Sequence, residues 1–156
     1  MDNSKSTATI ERLGAYSDQD AAQLGTLFTF LSEKATGAPI DKDWLERTIA
    51  SPYHVQLVAR HSDGSGKIVG AATLSLIFEP LKGQVAFLEA FVVDPDTRGM
   101  GIGDLLWQAM DTWCREKNAF LEFTSRADRE AAHRFYLKHG ATIRETTVFR
   151  YTPAKD

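Results

Sequence analysis

Apolar residues recur along this chain with two different periods. Alternating or continuous apolar runs at Thr9–Leu13, His54–Arg60, Lys67–Phe78, Gln84–Val93 and Ala119–Thr124 predict strands, and residues 141–152 are β-rich as well. Spacing of three and four predicts helices instead. Leu24, Leu27, Phe28 and Leu31 form one such stripe, behind a Ser17-Asp18-Gln19-Asp20 segment that resembles a capping box. Trp44, Leu45 and Ile49 give an inward face to a short helix over Asp41–Ala50. The cleanest stripe is Ile102, Leu105, Leu106, Ala109, Met110 and Trp113. A last short helix runs from Ala131 to Lys138 and is closed by Gly140 as a C′ glycine. Breakers divide these elements: Thr36-Gly37-Ala38-Pro39, Ser51-Pro52, Asp63-Gly64-Ser65-Gly66 and the turn from Pro80 to Gly83. Residues 1–8 are polar and expected to fray.

The order of elements predicts one α/β domain over residues 1–156, with its core between residues 9 and 152. The three strands between Ser51 and Asp94 read as an antiparallel meander. A chain of 156 residues is long enough to bury a sizeable core. Its 43% hydrophobic and 25% charged residues are ordinary for a soluble globular protein. A net charge of −3 argues against a nucleic-acid partner, which calls for a basic excess. No apolar run approaches a membrane span, and the N-terminal segment lacks the apolar stretch of a secretory signal. A lone cysteine, Cys114, cannot form an internal disulfide, so a reducing, cytoplasmic setting is expected.

The stretch Val92-Val93-Asp94-Pro95-Asp96-Thr97-Arg98-Gly99-Met100-Gly101-Ile102-Gly103 asks for a chemical explanation. Three alternate glycines stand where an apolar helix is about to start, although glycine is entropically unfavourable there. A glycine turn feeding a helix N-terminus offers unpaired N–H groups to an anion, and bare backbone lets phosphate oxygens approach closely. Arg98 adds a fixed positive charge. The pattern therefore reads as a phosphate cradle. It lacks the Gly-Lys-Ser/Thr ending of a nucleotide-phosphate loop. It also departs from the dinucleotide fingerprint, because Asp104 and Leu106 occupy the final glycine position in the two possible frames.

Arg98-Gly99-Met100-Gly101-Ile102-Gly103 resembles the R/Q-x-x-G-x-G/A signature of the GCN5-related N-acetyltransferases, with Arg98, Gly101 and Gly103 in the defining positions. A second segment, from Ser125 to Ala141, is similar to the family's N-x-x-A-x-x-x-Y-x-x-x-G-F pattern, with Ala132, Tyr136 and Gly140 in register. Ser125 replaces the common Asn and Ala141 the common Phe. The string Ala132-His133-Arg134-Phe135-Tyr136-Leu137-Lys138-His139-Gly140 is like that of small bacterial members that acetylate low-molecular-weight amines. The resemblance implies a mixed, mostly antiparallel twisted sheet flanked by helices, with its fourth and fifth strands splayed around acetyl-coenzyme A. It implies a pyrophosphate held by Arg98, Gly99, Met100, Gly101, Ile102 and Gly103. The pantetheine arm would lie along Phe91, Val92 and Val93, with Ser125 and Arg129 contributing further contacts to the coenzyme. No metal is implied.

Acetyl transfer needs an uncharged amine, a stabilised oxyanion and a proton for the departing sulfur. Tyr136 matches the family's proton donor, and a phenol of ordinary pKa near 10 suits a thiolate of comparable basicity. A backbone N–H near Phe91–Val93 is the candidate oxyanion donor. Glu89, a charge within an apolar strand, is the candidate base, and Glu79, just before Pro80, is a second candidate that reads better as a turn residue. Arg126 and Arg134 are further candidates for the coenzyme's phosphate, although a solvated helix face explains such charges as well. His54, His61, His133 and His139 show no metal-ligand spacing, and His133 and His139 read as surface groups. Cys114 reads as a packing residue. An acidic rim between Asp18 and Glu46, with Phe28, Phe30 and Tyr53 near it, would suit a cationic acceptor and equally a plain solvated surface. The expected activity is direct transfer to a small-molecule primary amine within a ternary complex, compatible with a homodimer. Acetylation of protein lysines or N-termini is one alternative, and a non-catalytic acyl-coenzyme A sensor is another.

Overall fold

The computed structural model describes residues 7–154. These fall into two compact units that meet in sequence between Phe123 and Thr124. The first holds a five-stranded sheet in the order β1 (Ala8–Arg12), β2 (His54–His61), β3 (Ile68–Glu79), β4 (Gly83–Val93) and β5 (Phe120–Glu122). The first three pairings are antiparallel, so the predicted meander is present, and the last is parallel.

Each face of the sheet has its own core. Leu57, Leu74, Leu76, Ala86 and Leu88 pack with Ile102, Leu106, Met110 and Trp113 of α3 (Ile102–Glu116). On the opposite face Val58, Ala71 and Val92 pack with Leu24, Leu27 and Leu45 of α1 (Asp18–Phe28) and α2 (Lys42–Ala50). Alternate strand residues thus serve alternate helices, which is why every long strand is apolar almost throughout. The tightest approach of α3 to the sheet is at Gly70. A Cβ there would lie 2.9 Å from a Leu106 methyl and 3.1 Å from one of Ile102, closer than packed carbons tolerate.

Several expectations are altered. Ser17 Oγ accepts the Asp20 N–H at 3.1 Å, as an N-cap should, but the Asp20 carboxylate does not close a capping box. It instead takes two guanidinium bonds from Arg60, each 2.9 Å, tying α1 to β2. Trp44 is not inward but 42% exposed, because the buried face of α2 is carried by Leu45 and Thr48. Leu31 packs against the core from the turn that follows α1.

The second unit contains α4 (Glu130–Lys138), which carries no fully buried residue. His139 caps it and Gly140 follows at φ 84°, the left-handed C′ position expected of that glycine. The β-rich segment at 141–152 forms no strand; Ile143, Val148, Phe149 and Tyr151 are 73–89% exposed. A strand exists only through a partner, and local propensity alone does not supply one.

Candidate active site

The glycine turn is built on Asp94. Its backbone N–H donates to the Val69 carbonyl at 2.8 Å, and one carboxylate oxygen accepts the Asp96 N–H at 3.0 Å. The other carboxylate oxygen meets Lys67 Nζ at 2.9 Å, while Thr97 Oγ1 donates to the Asp94 carbonyl. Burial pushes this carboxyl up, but the lysine and the Asp96 N–H outweigh it and hold Asp94 below the usual carboxylate range. A 3-10 turn, Pro95–Thr97, then delivers Arg98 to the surface. Asp94 was not singled out in the sequence, although an Asp-Pro pair at a strand end is an Asx-turn signal.

Gly99 and Gly101 lie at φ 80° and 79°, in the left-handed region that favours glycine. An added Cβ would meet nothing within 4 Å at either position, so bare backbone faces open space. Gly101 caps α3 and its carbonyl accepts the Leu105 N–H. The first N–H groups of α3 follow directly, which is the arrangement a phosphate group requires. Asp104 in that first turn complements the helix dipole. Met100 is 48% exposed, whereas the Ile102 side chain belongs to the core and could offer a ligand only its backbone.

β4 approaches this cradle with a bulge and a fork. Thr73 pairs with Ala90 and Leu74 with Leu88, so Glu89 is the extra residue of a β-bulge. Its carboxylate accepts a 2.6 Å bond from Ser75 Oγ. The parallel register with β5 ends at the Phe87–Glu122 rung, yet β4 continues to Val93. Phe91, Val92 and Val93 pair with β3 on one side, at Ala72, Ala71 and Gly70, and past the last rung their other side faces the fork. Glu89 and the Phe91–Val93 stretch thus follow one another along β4, and the cradle comes next, beyond the 3-10 turn. Glu79, the alternative base, accepts the Lys82 N–H in the β3–β4 turn.

The remaining candidates belong to the second unit. Tyr136 stands near the end of α4, its ring 5.9 Å from that of Phe135 in an edge-to-face contact. Burial raises its phenol above the ordinary value, with Arg129 opposing the shift. Arg129 is the N-cap of α4, and Ser125 is exposed ahead of it. Arg126 lies 3.4 Å from Asp128 and Arg134 3.6 Å from Glu130, pairings that explain those charges locally. His133 and His139 are partly exposed, and the His139 ring lies against Phe135 at 4.4 Å. Cys114 is buried on the α3 core, and burial pushes its thiol up to about 11. Among the described residues no group of three His, Cys, Asp or Glu could hold a metal ion, and no helix is long and apolar enough to cross a membrane.

The family described as acetyltransferase (GNAT) matches residues 24–141. No curated protein sequence matches. An aminoglycoside acetyltransferase, meta-AAC0020, from an uncultured soil metagenomic sample superimposes with a TM-score of 0.79 at 24% identity, covering 96% of this chain and 97% of that one. AAC(6')-Ih of Acinetobacter baumannii gives 0.72 at 20% identity, over 95% and 99% of the two chains. AAC(6')-Iy gives 0.73 at 17% identity, over 94% and 99%. At these identities the likeness is one of fold.

Proposed function

From the premise that the chain belongs to the acetyltransferase (GNAT) family and is an acyltransferase, we propose that it moves an acetyl group from acetyl-coenzyme A to a primary amine of a small molecule by direct attack. The observation that carries this reading is the fork. β4 leaves its parallel partner after Phe87, presents backbone from Leu88 onward, and leads through a 3-10 turn to a left-handed glycine turn that caps α3. The family uses acetyl-coenzyme A, and AAC(6')-Iy was solved with a bisubstrate analogue, CoA-S-monomethyl-acetylneamine. The aminoglycoside acetyltransferase meta-AAC0020 was solved with sisomicin, which makes aminoglycosides the natural first class to screen.

The open backbone at Gly99 and Gly101 fits a pyrophosphate, with Arg98 as its charge partner and the N–H groups of Ile102 and Gly103 as donors. Phe91, Val92 and Val93 provide the edge on which a pantetheine amide can pair, and an N–H of this stretch is the donor for developing negative charge. Acetyl-coenzyme A supplies an acetyl group activated as a thioester. Glu89 takes the proton of the incoming ammonium, and Ser75 holds its carboxylate at the bulge. Tyr136 keeps its proton at neutral pH, since burial raises the phenol, and delivers it from Oη to the leaving sulfur.

Thiol release from acetyl-coenzyme A with a panel of amines, polyamines, aminoglycosides, amino acids and peptides tests the proposal. Turnover with small amines is expected. Release with peptides alone would overturn the small-molecule reading, and tight coenzyme binding without turnover on any amine would overturn the enzymatic one.

A further inference from the structure

We infer that Asp94 and Lys67 are positioning residues for the coenzyme: together they fix one end of the exposed glycine arch, and with it Arg98 and the N–H groups that would meet the pyrophosphate. The inference rests on the coenzyme reading above and extends it to two residues outside the cradle itself.

Exposure along the turn shows where it is held. Asp94, Thr97 and Ile102 are buried, whereas Arg98, Gly99, Met100 and Gly101 are all exposed. Four exposed residues thus bridge two buried posts, Thr97 and Ile102. Two of the four are glycines in the left-handed region, and glycine has the widest conformational choice of any residue. An arch of this composition does not hold one shape by local propensity, so its posts set where it stands.

The two posts are secured differently. Ile102 is locked by apolar packing over Gly70 and into the core. The other post is polar and depends on one residue. Asp94 extends the β3–β4 ladder by one step, through the Val69 carbonyl. Its own carbonyl accepts the Thr97 N–H at 2.9 Å and Thr97 Oγ1 at 3.0 Å, and its carboxylate accepts the Asp96 N–H. The bonds that shape the 3-10 turn thus converge on Asp94. A carboxylate with a side chain only 8% exposed needs a counter-charge, and Lys67 Nζ supplies it at 2.9 Å from just ahead of β3. The charge of Arg98 also reaches Asp94. Removing Lys67 would leave Arg98 to answer the carboxylate and would draw it back from a phosphate. Lys67 thus keeps the turn closed and the arginine turned to its ligand.

Two ligands test the assignment: coenzyme A, and pantetheine, the same arm without pyrophosphate or adenosine. Each is titrated into isotope-labelled wild type, Asp94→Ala, Asp94→Asn and Lys67→Met and followed by backbone amide shifts. Wild type should bind coenzyme A at least about tenfold more tightly than pantetheine. Asp94→Ala should weaken coenzyme A roughly ten- to 150-fold, the loss of one charge-assisted contact at the phosphates. Asn keeps an acceptor for the Asp96 N–H, so Asp94→Asn should recover part of that loss. Lys67→Met keeps an apolar stem at an exposed position and should weaken coenzyme A about two- to fivefold. It decides the matter should the Asp94 variants fold poorly. Pantetheine affinity should stay within about twofold in each folded variant, because pantetheine does not reach the arch; a general loosening of the protein would weaken both ligands. An unchanged affinity for coenzyme A in folded Asp94→Ala, or in Lys67→Met if Asp94→Ala does not fold, would overturn the positioning role and leave the cradle standing. So would a parallel loss of pantetheine. Equal affinity of wild type for the two ligands would remove the cradle as well.

Discussion

Replacing Gly101 separates two things the cradle geometry combines: backbone strain and space for a ligand. The residue sits at φ 79°, where an L-residue costs about 1–2 kcal/mol, and an added Cβ meets nothing within 4 Å. Gly101→Ala should therefore lower stability by that strain alone, without a clash. Asn tolerates the left-handed region better than Ala, so Gly101→Asn should recover part of the loss. Strain of this kind is present with and without coenzyme, and it cancels from the binding equilibrium if the turn keeps its shape. Any loss of affinity then reports atoms that the new side chain displaces. A phosphate held by backbone N–H groups at hydrogen-bond distance leaves no room for a methyl. Losing even one charge-assisted contact of about 1.5–3 kcal/mol weakens binding roughly ten- to 150-fold. Calorimetric titration of coenzyme A into wild type, Gly101→Ala and Gly101→Asn, beside thermal melts, makes the comparison. Affinity should fall in both variants while stability falls more in the first. Affinities within threefold of wild type in both variants would refute the cradle, whatever the melts show.

Four further outcomes follow from the same structure. Arg98→Ala should weaken coenzyme A binding by the same roughly ten- to 150-fold range with little change in melting temperature, since Arg98 is exposed. Tyr136→Phe should lower turnover about 10²–10⁴-fold and leave coenzyme affinity unchanged; a loss under threefold, with chemistry rate-limiting, would mark the phenol as a packing group. Cys114→Ala should retain turnover, because a buried thiol pushed up to about 11 stays protonated at neutral pH, and an acetyl adduct on Cys114 in a mass spectrum would contradict direct transfer. Asp20→Asn should cost about 1.5–3 kcal/mol at neutral pH. Arg60 holds the Asp20 carboxyl below its unfolded value, so its contribution is present above about pH 4 and fades as pH falls through the folded pKa; the variant's urea midpoint should accordingly vary less across the acid range than that of wild type.

Local signals are legible in the sequence and pairing is not. The helix over Ile102–Glu116 and the glycine turn ahead of it depend on spacing within a few residues, and both stand where the periodicity puts them. Ser17 likewise caps its helix as its position predicts. The partner of Asp20, by contrast, is Arg60, forty residues away, and no local rule connects them. The same holds for Trp44. Its place in the stripe of α2 is right to within one residue, yet one step round a helix turns a side chain from core to solvent. At 141–152 the β-rich composition is present without a strand, because pairing is a property of two segments and composition a property of one.

The candidate chemistry divides along the same line. Glu89 draws notice in the sequence because a charge interrupts an apolar run. Its meaning comes from the bulge, which needs the register of β3 against β4 to be known, and from Ser75, fourteen residues earlier, which reaches it only through that register. Glu122 gives no such notice. It is an ordinary acid at the end of a three-residue strand, and it lies beside Phe87 only because the chain returns through α3 to run parallel to β4. A crossover of this kind brings residues thirty-five apart onto one rung, and strand propensity carries no trace of the distance. Where β4 and β5 part therefore decides how much of β4's backbone is left without a strand partner on that side. Lengthening the parallel pairing by one rung would close backbone at Leu88 that the fork leaves open, and would move Glu122 away from its end. The termination of β5 at Glu122 is in this sense as much a determinant of the proposed coenzyme edge as the glycines, and it is set by tertiary pairing alone.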